Sequence, residues 1–337
     1  MFKFKLFWKF TVRDLLGYSI SALLLWYTFY KSGLRLSDIR LQGDQWYYFI
    51  AAIALFISSL SFYAIRAKLI WVNKANKAVV LDTYACLILG NFYNCLLPGN
   101  LGEGIRASHF SRKNGVTFSR ALAATITEKW LDSQAFAVLI AILFIINPVI
   151  NHYISYALLY TAIIVLILSI VHLLLLKNNQ AAKKFWRFAM IFKGIGKFLF
   201  RLYSHTIDHL NNMKSNQAII PFFLLFAVLF IFNLMQFYLL QKAACVSVPV
   251  AGLYSSLLVA LSMMIIAFIP SAPSNIGVLH YGVYSTLILA AKQYGITPSA
   301  QELQSYALFA LYVHLSFLIP ELTLGTIFML KERKNLF

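Results

Sequence analysis

Two proline-led, glycine-bearing stretches interrupt an otherwise apolar chain half a sequence apart: Pro98-Gly-Asn-Leu-Gly-Glu-Gly104 and Pro270-Ser-Ala-Pro-Ser-Asn-Ile-Gly277. Proline ends a helix by withholding an N–H, and glycine admits backbone conformations that other residues avoid. Lipid cannot satisfy the N–H and C=O groups that a broken helix exposes. Breaks at bilayer depth therefore survive only where protein or a water-filled cavity covers them, and in transporters they line the substrate site. Each stretch is followed by a short return segment and a matching tripeptide, Gly115-Val-Thr117 and Gly295-Ile-Thr297. That pairing points to an internal duplication, and the duplication points to transport.

The greasy background is quantitative. Hydrophobic residues make up 61% of the 337 and charged ones 12%, against about 25% charged in soluble domains. Apolar runs occur at Leu15–Tyr30, Trp46–Ile65, Ala135–Ile146 with its upstream extension, Tyr153–Leu176, Ile219–Leu240, Gly252–Ile269 and Tyr306–Leu330, lengths suited to a bilayer. The chain reads as a polytopic membrane protein with no separate soluble domain. Leu15–Tyr30 has no small-residue cleavage site and is expected to remain as a signal anchor. Cys86, Cys95 and Cys245 have no metal-ligand spacing and are expected to pack as small hydrophobes. No metal or other cofactor is predicted.

The net charge of +18 lies on segments flanking the apolar runs, so it is assigned to topology and to anionic lipid headgroups, not to nucleic acid. Basic residues cluster in Met1–Asp14, Arg66–Ala78, Glu103–Arg120, Lys177–Ala218 and Lys331–Phe337. All five can be cytoplasmic only if residues 79–115 enter and leave on one side. The limb before Pro98 has about 15 residues, roughly 22 Å of helix, short of the ~30 Å hydrocarbon core. The return limb carries Glu103, Arg106, His109, Arg112 and Lys113. A re-entrant hairpin is predicted. The second pair, 252–291, then starts and finishes outside, although its first limb is long enough to cross fully.

The fold expected is all-α: six full spans plus two broken or re-entrant helical hairpins in an inverted repeat, with both termini cytoplasmic. Residues 1–176 hold the first repeat, its hairpin and the first span of the second. Residues 177–218 form a basic amphipathic cytoplasmic segment, where Lys193, Lys197 and Arg201 make one helical stripe. Residues 219–337 complete the second repeat.

Candidate substrate-binding residues in the first break are Pro98, Gly99, Asn100, Gly102, Glu103 and Arg106. A helix starting near Leu101 offers free N–H groups to an anion, and Arg106 adds a phosphate-fitting fork. Glu103 either caps that helix or pairs with Arg106. Glu128-Lys129-Trp-Leu-Asp132 is the second constellation. Its two acids share one helical face at mid-bilayer depth and need a cation, water or a proton; Arg106 is the nearest candidate, and Lys129 points about 100° away. The second break contributes Ser274, Asn275, Gly277 and His280 without fixed charge. Glu321, beside Pro320, is a lone acid and a proton-coupling candidate.

No catalytic motif appears. The run Leu97-Pro-Gly-Asn-Leu-Gly-Glu-Gly-Ile-Arg106, then Arg112-Lys-Asn-Gly-Val-Thr117, then Glu128-Lys-Trp-Leu-Asp132 resembles the lysylphosphatidylglycerol synthase transmembrane-region family. Glu103, Arg106, Glu128 and Asp132 match that family's pattern. Lys129 stands where arginine is usual, and His280 where the second glycine motif is typically followed by glutamate. The resemblance covers essentially the whole chain and implies a lipid-handling protein without the aminoacyl-transfer domain. It implies a flippase or scramblase of the bacterial inner membrane, moving an anionic phospholipid or a polyprenyl-phosphate-linked glycolipid. Two rivals stay open: a membrane-embedded lipid or sugar transferase, and a non-transporting partner of a glycosyltransferase or lipid-modifying enzyme.

Overall fold

The computed structural model describes residues 12–71, 80–97, 101–146, 163, 165–167, 193–247, 249–266, 269 and 271–334. Most of the predicted span 153–176, the basic run 177–192, Pro98, Gly99, Asn100 and Pro270 lie outside the described residues. Among the described residues every regular element is helical. The principal helices are α1 (Val12–Ser32), α2 (Gln45–Ile70), α3 (Val80–Leu96), α4 (Gly102–Asn114), α5 (Phe118–Ile146), α6 (Lys193–Ser215), α7 (Ile219–Ala243), α8 (Leu253–Ile266), α9 (Val278–Gln293) and α10 (Ala300–Lys334). A 3-10 turn, Pro273–Asn275, sits between α8 and α9.

Three of these, Gln45–Ile70, Ile219–Ala243 and Ala300–Lys331, are both long and apolar enough to cross a bilayer. The limbs before the breaks are shorter. Helix α3 has 17 residues, about 26 Å. Helix α8 has 14, about 21 Å. Within the apolar run Gly252–Ile269, expected to be long enough to cross, the described helix is Leu253–Ile266.

The two matching tripeptides do the same local job. Gly115 (φ +63) and Gly295 (φ +71) both take the left-handed conformation that ends a helix. Val116 N–H then donates to the Ser111 carbonyl at 3.2 Å, and Ile296 N–H to the Ala291 carbonyl at 3.0 Å. Both are the six-to-one bond of a Schellman cap. Each cap is followed by a hydroxyl that starts the next helix. Thr117 Oγ1 accepts from Arg120 N–H at 3.4 Å. Ser299 Oγ accepts from Glu302 N–H at 3.3 Å, while Glu302 accepts from Ser299 N–H at 2.8 Å, a complete capping box.

The chain divides into two compact units. One holds Leu55–Asn91, Gly102–Asn233 and Leu324–Phe337; the other holds Met1–Ala54, Phe92–Leu101 and Leu234–Thr323. In the first, α5 packs on α4 and α6. Its apolar core includes Ile70, Leu131, Met213 and Phe222, with a second cluster of Cys86, Ala107, Phe110 and Ala121. In the second unit, α9 packs on α8 and α1. Its buried amides are paired: Gln236 Nε2 donates to Ser316 Oγ and Gln241 Nε2 to Ser256 Oγ, each at 3.0 Å. An unpaired buried amide would cost about 1–3 kcal/mol, so these contacts fix helix register.

Candidate functional site

The first unit gathers full charges. Helix α4 begins at Gly102, one residue beyond the predicted start, and puts Glu103 and Arg106 on its first turns. Gly90 of α3 makes their close approach feasible: a Cβ there would lie 2.9 Å from Arg106 Cβ and 3.3 Å from the Gly102 carbonyl. Arg106 Nη2 donates to Glu128 Oε2 at 2.7 Å, and its Nη1 lies 3.6 Å from Glu103. The predicted Glu103–Arg106 pair and the predicted cation for Glu128 are therefore the same guanidinium. Lys129, pointing off the shared face, reaches Glu103 at 3.0 Å from a largely exposed position.

Asp132 is served by a residue the sequence had placed elsewhere. By charge pattern Arg66 belongs to the basic cluster Arg66–Ala78, expected to be cytoplasmic. The structure instead carries α2 on to Ile70 and buries Arg66 completely. Its guanidinium bonds Asp132 at 2.8 Å and Glu128 at 3.4 Å. The rings of Tyr63, Phe222 and Phe226 surround it at 4.6–5.9 Å, replacing water with aromatic faces. Three acids and three bases thus form one balanced chain: Asp132, Arg66, Glu128, Arg106, Glu103, Lys129. The signal for Arg66 is present in the sequence: Ala67, Leu69, Ile70 and Trp71 follow it with only Lys68 among them, and two acids on one buried face call for a partner.

Beside Arg106 and Glu128 lies a void of about 10 Å³, bordered by Thr83, Cys86 and Thr125. That is room for one water at most.

In the second unit the polar contacts described around the break run mainly through neutral side chains. Ser274 (φ 58) and Asn275 (φ 55) are consecutive left-handed residues, a conformation costing roughly 1–2 kcal/mol per non-glycine residue. Ser271 Oγ donates to Asn275 Oδ1 at 2.6 Å and helps hold the turn. Ser274 Oγ lies 3.1 Å from His314 Nε2 and 3.9 Å from Cys95 Sγ. The Cys95 thiol donates to Glu321 at 3.1 Å. Glu321 is half-buried and has this partner, so it is not the lone acid expected. Cys95, expected to act only as a small hydrophobe, links the last turn of α3 to the second break.

Gly277 (φ +83) crosses the backbone of Ser21 so closely that any Cβ would collide with the Ser21 carbonyl. Ser21 Oγ also accepts from Ala272 N–H at 2.9 Å. Gly277 N–H donates to His280 Nδ1 at 3.3 Å. His280 therefore occupies the third helical position of α9 and reaches back to the residue before the helix. Glutamate or glutamine does this in a capping box, which supplies a physical reason why histidine stands where glutamate is typical. The His280 and His314 rings meet edge to face at 4.8 Å. No group of three or more potential metal ligands occurs among the described residues.

With this geometry in place, comparison with known families gives one match. The profile described as "Lysylphosphatidylglycerol synthase TM region" covers residues 15–320. No curated protein and no solved structure matches the chain.

Proposed function

The chain belongs to the lysylphosphatidylglycerol synthase TM region family, a flippase-like membrane domain, and from that premise we propose that it moves a lipid between leaflets of the bacterial inner membrane. The substrate proposed is an anionic phospholipid or a polyprenyl-phosphate-linked glycolipid. The observation that carries this reading is the contact of the last turn of α3 with the second chain break. Cys95, three residues before Pro98, contacts Ser274 in the second break and Glu321 on α10. Broken helices whose ends converge on polar side chains are how transporters build a headgroup site at bilayer depth.

In this reading the freed backbone around Ser274 and Asn275 receives the headgroup. Glu321 is the proton or charge carrier at that site. The Arg66–Glu128–Arg106 chain is the closed form of a charge switch, and its opening exposes Arg106 to phosphate. Six spans and two re-entrant hairpins form an inverted repeat, for which the paired Schellman caps at Gly115 and Gly295 are supporting evidence. The basic clusters set both termini in the cytoplasm.

The test is leaflet exchange of fluorescent phosphatidylglycerol and of a polyprenyl phosphate in proteoliposomes. Glu321→Gln and Ser274→Ala are expected to reduce exchange to the protein-free background with melting temperature unchanged. Wild-type exchange in both variants overturns the assignment.

A further inference from the structure

A basic cavity lies apart from the ion chain, where the first turn of α5 meets the middle of α6. It has a volume of about 500 Å³ and is lined by Thr117, Ser119, Arg120, Arg201 and His205 among others. That volume falls within the roughly 300–1,000 Å³ of ligand pockets. Among the described residues no acid lines it; Asp208, with an exposed side chain, lies 3.7 Å from His205 Nδ1.

The lining is held in place by packing. Arg201, His205 and His209 recur every four residues and so share one face of α6. His209 is buried, which pushes its imidazole below the usual range by desolvation. Its two ring nitrogens lie 3.1 Å from the Ile70 carbonyl and 3.2 Å from the Arg120 carbonyl. This contact pins α6 to the end of α2 and the start of α5, so Arg120 and Arg201 face the same space. The α5 N-terminus adds the positive end of a 29-residue helix. Thr117 and Ser119 hydroxyls, 3.3 Å apart, complete a donor-rich wall.

We propose that this cavity binds a phosphate group, and that the phosphate belongs to the headgroup of an anionic phospholipid. Two arginines suit phosphate oxygens in a way that lysines do not. The lipid source follows from the preceding turns of α6, where Ile195, Phe198, Leu199 and Phe200 are exposed. Apolar side chains next to a basic pocket on an amphipathic helix fit a segment lying in the headgroup region, with acyl chains over the apolar residues. A soluble phosphate would have no use for them. This site serves retention or regulation at the membrane surface and is independent of the transport site.

The experiment uses the full chain in nanodiscs of phosphatidylglycerol or of phosphatidylcholine, with native mass spectrometry after detergent exchange. The wild type is expected to retain phosphatidylglycerol preferentially. Arg120→Gln and Arg201→Gln are each expected to weaken retention roughly tenfold, the effect of one lost charge-assisted contact. Lys197→Gln, one turn from Arg201 but outside the cavity, is the control and is expected to retain lipid normally. Equal retention of both lipids, or equal loss in the Lys197 variant, overturns the proposal. Displacement of the lipid by free glycerol phosphate at comparable concentration overturns the lipid source. Arg201 is exposed, so its variant keeps the test valid if the Arg120 variant proves unstable.

Discussion

The two units bury polarity in opposite ways. One links six charged groups as alternating pairs, with Glu128 buried between Arg66 and Arg106 and Lys129 at the exposed end. The other strings a thiol, a hydroxyl and an imidazole from Cys95 through Ser274 to His314, with a single carboxylate, Glu321, at one end. Paired charges are expensive to separate and hold one arrangement firmly. Neutral hydrogen bonds can be remade one at a time, and each contributes about 0.5–1.5 kcal/mol. On the proposed function, the contrast makes the first unit a latch and the second a surface that exchanges partners with a headgroup.

The largest effect that would break this comparison comes from the latch. Arg66→Met leaves Asp132 without its cation and Glu128 with one partner fewer. Breaking a buried pair from one side costs about 3–5 kcal/mol, so a large fall in melting temperature in detergent is expected. Adding Asp132→Asn to the same chain removes the orphaned charge and is expected to recover much of that loss. If the double variant is no more stable than Arg66→Met alone, the ion chain is not what holds this unit.

Arg66 also shows where sequence reading stops. Breaks, caps and the Glu103, Arg106, Glu128 and Asp132 set are local features, and proline, glycine and i, i+4 spacing made them legible. Arg66 was missed because hydropathy ends an apolar run at its first charge, whereas an aromatic cage and two acids let the helix carry that charge inward. Cys95 and Glu321 are 226 residues apart, and no local pattern announces such a pairing. Most of the fold came from composition, since apolar runs in a chain with so few charged residues have few alternatives.

Gly277 sharpens the comparison from the second unit. Gly277→Ala must take a left-handed conformation and push the Ser21 backbone away, which shifts the point where α1 meets the break. The conformation alone costs about 1–2 kcal/mol, and displacement of a backbone adds to it. The expected result is a melting temperature lowered by less than in Arg66→Met, with leaflet exchange lost. Gly104→Ala is the matched control, because an added Cβ there meets nothing within 4 Å. Equal losses in both variants would mean that the crossing at Ser21 has no special role.

The smallest effect concerns His280 and asks whether the second unit needs an imidazole or only an acceptor. If Nδ1 serves as the cap of α9, glutamine can replace it, because its side-chain oxygen accepts the same Gly277 N–H. His280→Gln is therefore expected to melt like the wild type. His280→Leu keeps the bulk and loses the acceptor, and should cost about 1 kcal/mol, the usual value of a helix cap. His280→Glu also restores the acceptor but brings a charge to a ring only 4.8 Å from His314. It should cap as well as glutamine does and introduce a dependence of stability on pH that the glutamine variant lacks. Should the leucine variant melt with the wild type, the contact at 3.3 Å contributes nothing, and histidine stands at this position for some reason other than capping.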